Sequence, residues 1–374
     1  MKVAFLCGCL AEGFDGVGDY TRTLSAQLIS NGYQVIIIAL NDHYITAIIE
    51  EKQATANIEV QVYRLPSLLP QKNRFNLAAR YLDVFSPLFI SFQFVIYSFH
   101  PKGLPASFAT QLKPLVKDRV FQIMFHEIWI GFTRISPVKH KITGYLQRGL
   151  IKNMVRQLRP NHINTSNLLY QWVLCGSGIA TSVIPLFSNI AIVAQTTEFI
   201  ANLSNKLHID TVKNPAYTFI GIFGNLYPEA KLEEILSKEY DAAKAQNKQL
   251  FFIGFGRINN TGKKEFDRLA EVFANKIKCI HLGGQLPNDV SRTMQVLHKA
   301  ISCTPAQHIG KSGVFAAFKL HSVPVLLSVG DVIPEYHQRI TNEYAAFTSR
   351  PSSYWSVAYV ANLYNDIISN KIQA

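Results

Sequence analysis

Along the chain, short apolar runs alternate with longer stretches in which apolar residues recur every three or four positions, the signature of strands interleaved with helices. The runs predict strands over 3–9, 34–40, 88–94, 120–125, 162–165 and 182–185, with a first helix over 18–31. A mixed segment, 188–216, then breaks the rhythm with Asn189, Lys213, Asn214 and Pro215. Beyond it the alternation restarts, with strands over 217–223, 249–255, 278–282, 300–304 and 323–327. No short-period repeat is present. The pattern is that of two similar α/β domains, each doubly wound about a parallel sheet, facing each other across a cleft that is the default ligand site. The boundaries read as a first domain over 1–190, a linker over 191–215, a second domain over 216–350 and a tail over 351–374. In the tail, Tyr354, Val357, Val360, Ala361 and Tyr364 fall on one face of a helix.

Composition narrows this picture. A chain of 374 residues with 48% hydrophobic and 17% charged residues can bury two cores, which excludes general disorder. Its 21 glycines and 16 prolines exclude collagen-like and low-complexity architectures. Cys7, Cys9, Cys175, Cys279 and Cys303 show no paired CxxC spacing and no disulfide density, which points to a reducing cytosol. Cys7 and Cys9 share a strand face and read as core packing. The N-terminus reads as a strand and not as a signal peptide. The most apolar window, 84–99, is broken by Pro87 and Gln93 and is shorter than a membrane helix requires.

The formal net charge of +12 implies an anionic partner: a nucleotide diphosphate, an anionic lipid surface or nucleic acid. From Ile128 to Thr197 there is no Asp or Glu, while Arg134, Lys139, Lys141, Arg148, Lys152, Arg156 and Arg159 crowd its first half. Over 138–159, Ile142, Tyr145, Leu146, Leu150, Ile151, Met154, Val155 and Leu158 recur at helical spacing. This basic amphipathic helix reads either as a core helix with a basic outer face or as one docked on an anionic membrane surface. No aromatic stacking pattern accompanies the cations, so nucleic acid is not expected as a partner.

Five stretches carry candidate chemistry. In AEGFDGVGDYTRTL, Gly13, Gly16 and Gly18 precede a helix, where amides could receive an anion or a polar sugar; a plain tight turn is the other reading. The spacing is not the GxGxxG of a dinucleotide site. Gly310, Lys311, Ser312 and Gly313 precede a helix over 314–320, bringing amides, a hydroxyl and an ammonium to one positive helix end. That is a diphosphate cradle or, more simply, a Gly-Ser N-cap beside a solvated lysine. Arg257, after FFIGFG, offers a second cation. His126 ends the strand over 120–125 beside Glu127, which could act as acid or base or orient the imidazole. His100 and Lys102 in SFHPKG read as acceptor contacts or as parts of a turn made by Pro101 and Gly103.

Taken together in order, these segments resemble glycosyltransferases of the GT-B fold, family 4 type. GFDGVGDYTRTLSAQLISNGYQVIIIAL is similar to their first loop, helix and second strand, QFVIYSFHPKGLP to an acceptor-facing loop, and FHEIW to the strand end with a sugar-contacting histidine. NTSNLLYQWVLCGSGIATSVIPLFSN resembles the exit from their N-domain. FIGIFGNLYPEAKLEEIL, FFIGFGR, HLGGQLP and TPAQHIGKSGVFAAFKLHSVPVLL resemble the strands and loops of their donor domain. The resemblance implies two Rossmann-like domains about a central cleft, with a tail helix that crosses back to the first.

It also implies transfer of a sugar from a nucleotide diphosphate sugar to a hydroxyl of a sugar or lipid-linked acceptor, with retention, without metal and with no further cofactor. The location implied is cytoplasmic, peripheral on the inner face of the membrane. His126 and Glu127 would then be catalytic, and Gly16, Val17, Gly18, Tyr20, His100 and Lys102 would line the acceptor. Asn225, Lys231, Arg257, Gly310, Lys311, Ser312 and Gly313 would hold the donor. The chain departs from the family at four donor positions. Asn225 replaces the diphosphate arginine, Ala230 the lysine with Lys231 beside it, and Ile309 and Ala317 the two glutamates. Two other readings follow from these departures: a non-catalytic subunit partnering another transferase, and a transferase with a polyprenyl phosphate sugar donor.

Overall fold

A computed structural model describes residues 1–105, 107–328 and 333–369. The chain divides into two compact units, one of 1–185 with 357–374 and one of 186–356.

In the first unit the order is β1 (Lys2–Cys7), α1 (Gly16–Ser30), β2 (Gln34–Asp42), β3 (Ile49–Thr55), β4 (Ile58–Pro66), α2 (Gln71–Phe85), β5 (Phe89–Phe94), α3 (Phe108–Val116) and β6 (Val120–Phe125). Then come α4 (Val138–Leu158), β7 (His162–Thr165), α5 (Leu168–Gly176) and β8 (Ser182–Val183). The sheet runs β3-β4-β2-β1-β5-β6-β7-β8, parallel except for β3, and its central strands β1 and β5 are buried on both faces, as packing between helix layers demands. β1 lies between β2 and β5, so the strand order reverses there and the loops after β1 and β5 flank the switch point.

The hairpin of β3 and β4 escapes the sequence reading. Ala56 and Asn57 turn it with φ of 49° and 63°, the left-handed pair of a two-residue hairpin loop. Its outer strand alternates exposed and half-buried residues and carries Glu50, Glu51 and Lys52, which protects an open edge.

The second unit contains α6 (Thr197–Leu207), β9 (Tyr217–Phe223), α7 (Leu232–Ala245), β10 (Gln249–Phe255), α8 (Asn260–Val272), β11 (Ile277–His281), α9 (Pro287–Val296), β12 (Lys299–Ser302), α10 (Gly313–Leu320), β13 (Val325–Leu327) and α11 (His337–Thr348). Its all-parallel sheet runs β11-β10-β9-β12-β13, with the reversal between β9 and β12. Alternation splits the core in two. Phe219, Phe251, Ile253 and Phe255 pack on one face, and Ile220, Ile222, Leu250 and Phe252 on the other.

Two expectations change here. The stretch 191–215, read as a linker, is folded: α6 is capped by Thr196, and Leu203, Leu207 and Val212 join the core around Phe219. The tail divides at residue 356. Trp355 packs on Phe315 and Phe347 in the second unit, while α12 (Val357–Ser369) lies on α1 in the first and buries Val360, Ala361 and Tyr364. The last residues of the expected tail helix, 370–374, lie outside the described residues.

Candidate functional site

Because the strands are parallel, the loops that follow them share one edge of each sheet, and the candidate residues fall on these two edges. In the first unit the loop after β1 is held tightly. Asp15 caps α1, accepting the Gly18 amide at 2.7 Å, and a side chain at Gly18 would stand 2.7 Å from the Cys9 carbonyl, so only glycine fits. Asp19 accepts the Gly13 amide and pairs with Arg22 at 2.8 Å, while Arg22 also donates to the Leu10 carbonyl at 2.9 Å. Below it, burial alone would raise the Asp42 carboxyl, but Arg64 at 2.8 Å and the amides of Tyr44 and Leu10 outweigh it and hold the pKa below the usual range. Cys9 donates to Asp42, and burial pushes its thiol up to about 12; the fully buried Cys7 is raised as well, so both behave as core thiols.

This cap changes the reading of the glycine loop. Two carboxylates already occupy the positive end of α1, so the loop favours a neutral, hydroxyl-rich ligand over an anion. Gly16 is exposed and Val17 half-buried at its rim. Tyr20 is not at the rim: it is buried, with its ring edge-on to His126 at 5.1 Å. The exposed aromatic pair Phe14 and Tyr44, centroids 5.4 Å apart, stands over the same loop. The sequence reading missed this pair.

His126 follows β6, as expected, but it does not stand open at the strand end. It is buried, its Nε2–H donates to Gln93 Oε1 at 2.8 Å, and burial lowers its pKa to about 3. A neutral imidazole of that kind is no general acid near neutral pH; Nδ1 is the ring atom left for any sugar contact, as an acceptor. Gln93 opens a buried polar line across the sheet. Its amide donates to Ser91 at 2.6 Å, Ser91 to Gln122 at 2.6 Å, Gln122 to Asn164 at 2.8 Å and Asn164 to Ser182 at 2.7 Å. Every donor points the same way, so the dipoles reinforce one another. Gln93 also donates to the Tyr364 hydroxyl at 3.2 Å, which ties α12 to the residue that holds His126. Glu127 is half-buried beside it.

His100 and Lys102 follow β5. The Nδ1 of His100 accepts the amides of Lys102 and Leu104 at 3.1 and 3.2 Å, so the ring shapes the turn and its neutral form carries the proton on Nε2. Gln147 of α4 clamps this turn to the loop after β6, donating to the Lys102 carbonyl at 3.0 Å and accepting the Ile130 amide at 3.1 Å.

On the second unit's edge, Asn225 follows β9, Arg257 follows β10, and Lys311 with Ser312 follows β12. Asn225 accepts the Asn259 amide at 2.7 Å and Asn259 in turn caps α8, so Asn225 works as a loop clamp. Lys231 and Arg257 are exposed on the rim. The Cys303 thiol lies against the Tyr227 backbone, which joins the loops after β9 and β12 across the switch point.

Ser312 caps α10. Its hydroxyl accepts from the Phe315 amide at 3.2 Å and from Thr304 at 3.1 Å. The amides of Gly313 and Val314 head the helix ahead of the capped one, with Lys311 exposed beside them. Gly310 is buried in the turn before the cap, while Gly313 is exposed. Burial, with Lys311 next to it, lowers the His308 imidazole to about 4, so it is neutral there. Ile309 and Ala317 are buried, Ala317 in the core with Phe255 and Phe318.

No family model matches the sequence, and no curated protein matches it. Solved structures do match along the whole chain. A glycosyltransferase from Rickettsia africae is 12% identical with a TM-score of 0.54, covering 99% of this chain and 97% of its own. A UDP-forming α,α-trehalose-phosphate synthase from Burkholderia xenovorans, in complex with glucose-6-phosphate, is 9% identical with a TM-score of 0.56, covering 98% and 100%. A UDP-GlcNAc 2-epimerase from Methanocaldococcus jannaschii is 11% identical with a TM-score of 0.51, covering 99% and 100%. Transferases and an epimerase thus share the architecture, and at these identities the likeness speaks for the fold alone. The chain has the α/β fold expected of it, GT-B with two Rossmann-like units.

Proposed function

We propose that this protein is a glycosyltransferase that moves a sugar from a nucleotide diphosphate sugar to a hydroxyl of a sugar or lipid-linked acceptor. The observation that carries the reading is the opposite chemistry of the two switch points. In the first unit α1 begins at Asp15 and Asp19, which suits a neutral hydroxyl-bearing ligand. In the second, α10 begins at the uncharged Ser312 beside Lys311, with Lys231 and Arg257 on the same edge, which suits a diphosphate. A two-substrate transfer needs two such ends. In the reaction the anomeric C–O bond to the diphosphate breaks, a bond to the acceptor oxygen forms and the acceptor proton passes to the departing diphosphate oxygen. The charge that grows on the leaving diphosphate is met by Lys311 and the first amides of α10. Retention and independence of metal belong to this reading through the family resemblance.

Ile309 and Ala317 favour a second reading, a binding subunit or a transferase with a polyprenyl phosphate sugar donor, because no carboxylate stands where the family holds the ribose. Thermal-shift measurements separate them. A nucleoside diphosphate at a hundredfold its dissociation constant should stabilise the protein by about 2.7 kcal/mol. Lys311→Ala should weaken the diphosphate and leave the nucleoside unaffected. Release of nucleoside diphosphate from a panel of nucleotide sugars, with acceptor present, then identifies the donor. A protein that no nucleoside diphosphate stabilises, and that cleaves no nucleotide sugar, refutes the transferase reading in this form.

A further inference from the structure

Helix α4 carries two apolar stripes, and only one of them is buried. Gly144, Gln147, Ile151, Met154 and Leu158 form the inward face. Ile142, Tyr145 and Leu146 recur at the same helical spacing, yet they are 62%, 75% and 51% exposed. Val138 at 70% and Ile135 at 61% continue the same exposed surface toward the start of the helix. Positions 138, 142 and 145, with 146 alongside, line one side of a helix. Soluble proteins seldom leave such a stripe uncovered, and its presence marks an interface.

Charge identifies what covers it. Lys139, Lys141 and Lys152 are exposed and Arg148 half-buried around the stripe, Arg134 is exposed just before it, and the chain has no carboxylate from residue 128 to 197. A second copy of this face would set cations against cations, which disfavours self-association. Nucleic acid would satisfy the cations but not the aliphatic side chains between them. An apolar stripe within a cationic rim matches acyl chains beneath anionic headgroups. Among the described residues no helix is long and apolar enough to span a membrane, so the contact lies in the interface plane.

We infer that the first three turns of α4 and the preceding loop dock this protein on an anionic lipid bilayer, with Ile135, Val138, Ile142, Tyr145 and Leu146 inserted and the surrounding cations on the headgroups. The inference stands on exposure and charge and does not depend on the proposed reaction.

Vesicle co-sedimentation of the full chain tests it, with phosphatidylcholine alone and with phosphatidylcholine mixed with phosphatidylglycerol, at low and high salt. The protein should pellet with the mixed vesicles at low salt and be released by salt. Each headgroup-bound cation contributes about fivefold in affinity, so Lys139, Lys141, Arg148 and Lys152 changed together to Gln should weaken binding on the order of several hundredfold. The triple change Ile142→Ser, Tyr145→Ser and Leu146→Ser keeps every charge and should also abolish pelleting. It should leave the melting temperature unchanged, because these side chains are already exposed. The inference is overturned if the unchanged protein stays in the supernatant, if it pellets equally with phosphatidylcholine alone, or if the triple variant binds as tightly as the parent. It is equally overturned if the stripe proves to hold a dimer that the triple variant dissolves.

Discussion

Truncation of His126 reads the buried polar line directly. On sequence grounds His126→Ala should lower turnover and leave the melting temperature nearly unchanged; burial of the side chain replaces the second half of that expectation. The imidazole is buried against Tyr20 and donates to Gln93 at 2.8 Å. Its removal leaves a cavity and strips a donor from a buried carboxamide oxygen, the latter worth about 1–3 kcal/mol by itself. With the cavity included, a loss of about 3 kcal/mol is expected near neutral pH. At about 2–4 °C per kcal/mol for a unit of this size, the melting temperature should fall by roughly 6–12 °C.

Acid supplies the second half of the test. The folded-state pKa of His126, about 3, lies below its unfolded value of 6.5, so between these values the unfolded chain binds the extra proton. The native state therefore keeps this contribution above pH 6.5 and loses it as pH falls toward 3, whereas the alanine variant has no proton to bind at that position. At pH 4.5 the parent has lost about two pK units, or roughly 2.7 kcal/mol, that the variant never had. The stability gap measured by denaturant titration should nearly close between pH 7.5 and pH 4.5. A gap that stays constant over that range, or no gap at pH 7.5, refutes the picture of a buried neutral histidine.

Helix α4 offers a matched glycine pair. A Cβ on Gly144 would overlap the Ile130 carbonyl, so Gly144→Ala should destabilise by about 1–3 kcal/mol, whereas Gly149 has open space and Gly149→Ala should stabilise by about 0.5–1 kcal/mol; both follow from denaturant midpoints. At α1, Asp15→Ala removes the cap on Gly18 and should lose about 1 kcal/mol, while Asp15→Asn, which keeps the capping oxygen, should remain close to the parent by the same measurement.

Much of this architecture was legible because a parallel strand buried on both faces leaves an unmistakable apolar run, as in QVIIIAL and QLFFIGF. β3 and β4 were not, because a hairpin at a sheet edge keeps one face wet and its Ala-Asn turn lacks the usual glycine. α6 hid in a segment whose Asn and Pro residues read as a linker, although Phe199, Ile200, Leu203 and Leu207 keep helical spacing. The polar line left a local trace. Ser91 and Gln93 sit two apart in an otherwise apolar strand, Gln122 interrupts the neighbouring β6, and Asn164 lies on β7 beyond it. What no local pattern could supply is Tyr364, which meets Gln93 across a separation of 271 residues. Nor could spacing choose which stripe of α4 faces inward. That side is set by Gly144, small enough to admit the Ile130 carbonyl, and by Gln147, whose amide and carbonyl have waiting partners in two loops.

Architecture alone does not separate a transferase from an epimerase here, since both are found on this fold, so discrimination falls to the few residues at the ends of helices. Both α1 and α10 follow a strand at a switch point and both present a positive end, yet their caps differ in charge: Asp15 with Asp19 in one, Ser312 in the other. A carboxylate cap satisfies amide and dipole together and leaves no room for a second anion. A hydroxyl cap satisfies one amide and leaves the dipole uncompensated, and Lys311 adds to the same field. That field is little opposed locally, because Ile309 and Ala317 bring no negative charge to α10. On the proposed reading, a nucleoside diphosphate here would be held by fewer contacts to its ribose and by more of its own charge. Its binding should accordingly weaken with salt faster than ribose-anchored recognition would.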